Sequence, residues 1–341
     1  MKHRSLALAV LVTACGTDPG VPARLYEPAA RHTVAEGDGM ITYASTDTIT
    51  PARTLRLRVR WPDDASGPLP AVVLIHGGGF NDAGHTRLPD WGASLAAAGY
   101  VAIHMSNTTD EQNCHCAALQ IPAAECMPTS SMREVIDGGT LPAAFYTRPR
   151  DASAVLDRLD DIARVAGIEI DTDQVAVLGH SGGSHAVMAL AGADIDVSPS
   201  VGAMPSREPR FRAFVANSPQ GVGRLGLTDT SWDPIASPML IQTGRNDSTV
   251  GEDAPSRLDP YPRLRGPDVY QHYLDDEDST HEVFALDHAP GVEGNERALA
   301  TTAIAFLDAH VRGRAEAIAW LASDALVEAT AGASTWSRKE R

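Results

Sequence analysis

The chain is short of several things, and each shortage narrows its chemistry. Basic residues are outnumbered, 28 Lys and Arg against 44 Asp and Glu, for a net charge of −16, and no Lys/Arg cluster interrupts the acidic balance. Such a surface repels phosphate backbones, so nucleic acid is excluded as an expected partner. Long apolar runs are missing as well: residues 6–12 fall far short of the ~20 needed to span a bilayer as a helix. There is no internal repeat, and no residue pattern calls for a metal, a nucleotide or another cofactor. Cysteine is scarce, with only Cys15, Cys114, Cys116 and Cys126.

What is present begins with a leader. Lys2, His3 and Arg4 form a basic start, residues 6–12 an apolar core, and Val12-Thr13-Ala14-Cys15 follows. This resembles a bacterial lipoprotein signal occupying residues 1–15, cleaved before a lipidated Cys15. A plain secretory signal cut nearby is the alternative, and both readings export the protein, to the cell envelope or beyond. Contact with a membrane is then expected only through the anchor. Residues 16–30, rich in Gly and Pro near their start, read as a flexible tether, and 31–341 as a single domain.

In an oxidising compartment three cysteines remain. A bridge between Cys114 and Cys116 is strained by its short span, so a disulfide, if formed, joins Cys126 to one of them and contributes roughly 3 kcal/mol at most. A metal site from Cys114, His115, Cys116 and Cys126 is the sharper alternative, but C-x-C is not the usual zinc spacing.

With 341 residues and 43% hydrophobic content the chain can bury a large core. Residues 54–61 alternate Leu55, Leu57, Val59 and Trp61 with Arg56, Arg58 and Arg60, the period of a half-exposed strand whose arginines face water. Residues 71–75 read as a buried strand ending in His76-Gly77-Gly78-Gly79-Phe80, and 88–99 as a helix closed by Gly99. A strand at 100–105 precedes a stretch without a clean period, residues 106–149, expected to fold over the site as an insertion. Then come an amphipathic helix at 150–166, strands at 175–178, 210–216, 238–243 and 269–274, and a closing helix at 296–311. Strands alternating with helices predict a mostly parallel sheet covered on both faces.

The chemistry gathers at Gly179-His180-Ser181-Gly182-Gly183, between a short apolar strand and a small-residue helix. G-x-S-x-G in that context places a serine hydroxyl on a strained turn, clear of the backbone. A serine needs a histidine base, and the histidine an acid to fix its tautomer. Asp247 follows the strand at 238–243 and is the expected acid; Asp229 and Asp253 are its rivals. His281, in the loop after the last strand, is the expected base, with His288 the runner-up and His272 inside the strand. His180 and His185 read as packing or hydrogen-bonding residues of the turn. Backbone N–H groups of Gly182 and Gly78 are the expected oxyanion donors, with Gly77 and Gly79 one step from the latter.

These pieces, PAVVLIHGGG at 70–79, LAAAGYVAIHM at 95–105, RPRDASAVLDRL at 148–159, the serine turn, NSPQG at 217–221, PMLIQTGRND at 238–247 and DSTH at 278–281, resemble the α/β-hydrolase superfamily. More narrowly they are similar to its branch of dienelactone hydrolases, platelet-activating-factor acetylhydrolases and cutinase-like polyester hydrolases. The glycine triplet also resembles hormone-sensitive-lipase-like esterases. The resemblance implies an α/β-hydrolase fold and hydrolysis of small-molecule or polymer carboxylic esters by Ser181, Asp247 and His281 through an acyl-enzyme. Many relatives carry a bulky residue where this chain has Gly182, which implies a more open wall beside the acyl group. A peptidase or amidase on the same scaffold is the second reading, and a non-catalytic binding protein the third.

Overall fold

The computed structural model describes residues 24–43, 53–78, 83–107, 143–197, 201–203, 205–249, 251–287 and 294–339. Its frame is a sheet of nine strands: β1 (Val34–Tyr43), β2 (Arg53–Pro62), β3 (Pro68–Ile75), β4 (Val101–Met105), β5 (Glu169–His180), β6 (Phe211–Asn217), β7 (Met239–Gly244), β8 (Val269–Leu274) and β9 (Ser334–Arg338). They lie in the order β1-β2-β4-β3-β5-β6-β7-β8-β9. The six from β4 across to β8 run parallel, while β1, β2 and β9 are antiparallel additions at the edges. The mostly parallel sheet is therefore present, with β1 and β9 added to the strands legible in the sequence. Both are edge strands, whose half-exposed residues leave only a weak hydrophobic period.

Why the central strands read as continuous apolar runs is plain from their two faces. Side chains alternate along a strand, so Ala71, Val73 and Ile75 of β3 enter one core and Val72 and Leu74 the other. The first core is closed by α2 (Ala143–Leu156), α3 (Leu159–Ala166) and α4 (Gly182–Ala191); the second by α1 (Pro89–Ala97), α5 (Gly294–His310), α6 (Ala315–Leu321) and α7 (Ala325–Ala329). Pro89 opens α1, where a missing N–H costs nothing, and Gly99 turns the chain beyond it at φ +92°.

Three expectations are corrected here. The helix expected at 150–166 is two helices, and the first begins at Ala143 with Pro149 inside it, so the insertion expected at 106–149 gives its last seven residues to a packed helix. The arginines of β2 do not all face water. Arg60 is buried, donating to Glu36 and meeting His104, because β4 covers its half of the strand; Arg53, at the strand's start, is buried in a bidentate pair with Asp151 of α2. Finally, the packed domain reaches back into the stretch expected to be a tether. Tyr26 is buried and donates to Asp308 of α5, and Trp320 donates to the Arg24 carbonyl.

Register sets the site. Ile75 pairs with Gly179, His180 with Asn217, Asn217 with Gln242 and Gly244 with Leu274. The carboxyl ends of five parallel strands thus finish almost level, and the loops leaving them converge on one edge of the sheet.

Candidate active site

Ser181 sits between β5 and α4 at φ 53°, ψ −118°, a conformation that costs a non-glycine residue about 1–3 kcal/mol. The surroundings hold it there: its N–H donates to the Asn217 carbonyl of β6. The flanking glycines are demanded by contact. A Cβ on Gly179 would lie 2.3 Å from the Gly183 carbonyl oxygen, and one on Gly183 would lie 2.0 Å from that of Ile75.

Asp247 leaves the end of β7 fully buried. Its Oδ1 accepts from His281 Nδ1 at 2.7 Å and lies 3.0 Å from Arg257 Nε, and its Oδ2 accepts from Thr243 Oγ1 at 2.8 Å. Burial alone would raise this carboxyl, but the His281 hydrogen bond and the Arg257 charge outweigh it and hold the group below the ordinary carboxylate range. The two loops are tied by Asn246 Nδ2, which donates to the Glu277 carbonyl. Because Nδ1 is the donor to a carboxylate, Nε2 of His281 is left as the basic nitrogen.

Ser181 and His281 line one cavity of about 290 Å³, together with Gly77, Gly78, Gly182, Phe145, Gln220, Arg224 and Glu252. Among the described residues no hydrogen bond joins Ser181 Oγ to His281. Gly182 is the first residue of α4, so its N–H has no helical acceptor and sits at the positive end of the helix. Gly78 faces the same cavity at φ +71°, in the left-handed region suited to glycine. The structure therefore brings together Ser181, Asp247, His281, Gly78 and Gly182. A serine hydroxyl on the wall of a cavity that also holds an imidazole tied to a buried carboxylate is the set of groups that attack on a carbonyl needs, and glycine N–H groups on the same wall are of the kind that stabilise the negative oxygen that results.

The rival residues are placed elsewhere. Asp229 is an exposed partner of Arg263, Asp253 caps the turn at Ala254–Leu258, and His272 is buried between Gln242 and Ser334. Burial drives His180 down to about 3 and His185 to about 4; each meets a carbonyl through Nε2, that of His281 and of Leu225 respectively. Both act as neutral packing groups, and the His180 ring lies 4.6 Å from that of His281. Gly79, His288, Cys15, Cys114, Cys116 and Cys126 lie outside the described residues.

The open wall expected at Gly182 is not open. A Cβ there would lie 2.7 Å from Arg148 Nη1, 2.9 Å from the Gly78 oxygen and 3.0 Å from Phe145 Cε1. Two side chains of α2 fill the space that a larger residue would occupy. Arg148, which opens the stretch at 148–159, and Phe145 carry no sequence signal for this place, because their segment shows no period before residue 150. Arg257 and Glu252 were also missed. Arg257 is fully buried, donating from Nε to the Asp247 carbonyl and from Nη1 to that of Ser218, and its Nη1 lies 3.3 Å from Glu252. An arginine ten residues past the acid carries no sequence signal for that role.

No protein-family model and no curated protein matches the chain. Among solved structures, a ferulic acid esterase from Streptomyces cinnamoneus superposes with a TM-score of 0.56 at 18% identity, over 85% of this chain and 94% of that one. At that identity the likeness bears on architecture, and it agrees with the mostly parallel sheet and its flanking helices: the chain has the α/β-hydrolase fold.

Proposed function

We propose that this protein is a serine hydrolase that cleaves carboxylic esters through an acyl-enzyme. The observation that carries the reading is the 2.7 Å contact of His281 Nδ1 with the buried Asp247 carboxylate, on the wall of the cavity that Ser181 also lines. In the first step Ser181 Oγ attacks the ester carbonyl carbon while its proton passes to His281 Nε2. The carbonyl oxygen becomes an oxyanion held by the N–H groups of Gly78 and Gly182, each donor worth roughly 3–4 kcal/mol of transition-state stabilisation. Collapse expels the alcohol, which takes the proton from His281. Water then attacks the acyl-enzyme with His281 again as base, releasing the acid and restoring Ser181. Asp247 stays ionised throughout, kept so by Arg257 and the imidazolium.

The cavity suits a small or slender acyl group, and a hydroxycinnamoyl ester, by analogy with the ferulic acid esterase, belongs in the substrate panel with short and medium aliphatic esters. Export through residues 1–15, with lipid attached at Cys15, is part of the proposal, and labelling with a palmitate analogue that is lost on C15A tests it. For the chemistry, a fluorophosphonate probe is expected to label Ser181 in the folded protein and not S181A, with p-nitrophenyl acetate hydrolysed far faster than aminoacyl p-nitroanilides. Folded protein that takes up no probe at Ser181 would end the hydrolase reading.

A further inference from the structure

We infer that Arg148 is a positioning residue, which locks the glycine loop so that the Gly78 N–H is presented to the oxyanion; the inference rests on the hydrolase reading above. Arg148 comes from α2 and is fully buried. Its guanidinium reaches two carbonyls of the loop, Nη1 donating to His76 O at 3.3 Å and Nη2 to Gly78 O. The fork is aimed from behind: with the Asn107 amide oxygen turned to it, Nε donates there at 2.6 Å, and the Phe145 ring packs 5.2 Å from the guanidinium carbon.

Between those two anchored carbonyls lies the third. Gly77 O accepts from His76 Nδ1 at 2.7 Å. Within a peptide unit C=O and N–H point in opposite directions, so the His76 bond to Gly77 O sets the Gly78 N–H, and Arg148 acts on it by fixing the carbonyls on either side. Three successive carbonyls, those of His76, Gly77 and Gly78, are thereby held by cationic or imidazole donors. A loop of glycines has no side chains with which to hold itself, and Gly78 is in the left-handed region, where several backbone conformations compete. Other features bring the loop and the serine turn close. A Cβ on Gly77 would lie 2.9 Å from His180 Nδ1 and 3.1 Å from Ser181 Cβ. Arg148 spans the join, since its Nη1 also borders Gly182, which carries the second expected donor. Arginine suits the task and lysine does not, because a planar fork reaches two carbonyls and a neighbour at once whereas an ammonium is a single point. Burying a guanidinium is costly, and structural packing alone would be served by an apolar side chain of the same volume.

The test compares wild type with R148K, R148M and R148A, measuring kcat and KM on p-nitrophenyl acetate, binding of a tetrahedral mimic (an alkyl boronic acid), and thermal midpoints. Removal of an oxyanion donor outright costs about 10²–10³ in kcat, so loss of its positioning should lower kcat about 10- to 100-fold. KM should stay within about threefold, and boronate affinity should fall in step with kcat. R148A is expected to regain kcat in millimolar methylguanidinium, which refilling of the cavity by an uncharged isostere would not achieve. Should R148A and R148M fail to fold, R148K, which keeps charge and most of the volume, is read alone for the same kcat and boronate losses. Folded R148K with kcat within twofold of wild type, or a kcat loss with unchanged boronate affinity, would overturn the inference. A wild type that takes no fluorophosphonate would instead overturn the hydrolase reading itself, so the two failures are told apart.

Discussion

Acid should unfold this protein steeply, and five buried histidines set the slope. His76, His104, His180 and His272 are driven down by burial to about 3 and His185 to about 4, each meeting a carbonyl, hydroxyl or amide partner as a neutral ring. In the unfolded chain each titrates near 6.5. Below that value the unfolded state binds a proton that the folded state refuses, so stability is fully present above about pH 6.5 and is lost as pH falls toward the folded values. At 1.36 kcal/mol per pH unit, each ring forfeits roughly 2 kcal/mol by pH 5, and the set about 10 kcal/mol, comparable with the whole stability of an ordinary domain. Asp151 and Glu252 act in the opposite sense. Burial raises both carboxyls, so the folded state takes up protons there first and gains stability in acid, offsetting up to two of the five protons. The net expectation is a slope of about 4–7 kcal/mol per pH unit between pH 5.5 and 4.5. Urea unfolding followed by tryptophan fluorescence at a series of pH values from 7.5 downward measures it, with a constant m-value required. H272Q, remote from the serine, should reduce the slope by about 1.4 kcal/mol per pH unit. Stability that is flat from pH 7.5 to 5 would show that these rings are either protonated in the fold or open to water, and would refute the reasoning.

Two further outcomes follow from the site. D247N keeps the shape of the acid but removes the charge that orients the His281 tautomer and stabilises its imidazolium, so kcat should fall about 10³- to 10⁴-fold with substrate binding little changed, as steady-state kinetics would show. G182A sets two effects against each other. Alanine in a helix is favoured over glycine by up to about 1 kcal/mol, but the new methyl would press on Arg148, the Gly78 oxygen and Phe145, and overpacking costs about 1–3 kcal/mol. A net loss of thermal stability together with lower kcat is expected; a stabilised, fully active G182A would mean that the α2 side chains yield freely.

The amino-acid sequence by itself carried the alternation of strand and helix, the mostly parallel sheet, the serine turn, and the candidate acid and base with their order along the chain. These are local signals: glycines that flank Ser181 because a Cβ has no room, an apolar run at 71–75 because both faces of β3 are covered, and short loops after strands that hold Asp247 and His281. The edge strands β1 and β9 were not legible, since a strand paired on one side and half exposed has little hydrophobic period. The break between α2 and α3 was lost because apolar spacing continues across it. What only the tertiary structure decided is how the loops are held. Arg148 lies 33 residues before Ser181 and 70 after Gly78, and Arg257 reaches Asp247 and Glu252 in the loop after β7 and Ser218 in the loop after β6. A buried arginine satisfies backbone carbonyls, which every residue possesses, so nothing in the identity of its partners marks the pairing along the chain. The reading of Gly182 changed for the same reason: the sequence shows a missing side chain, and only the fold shows Arg148 and Phe145 occupying its place.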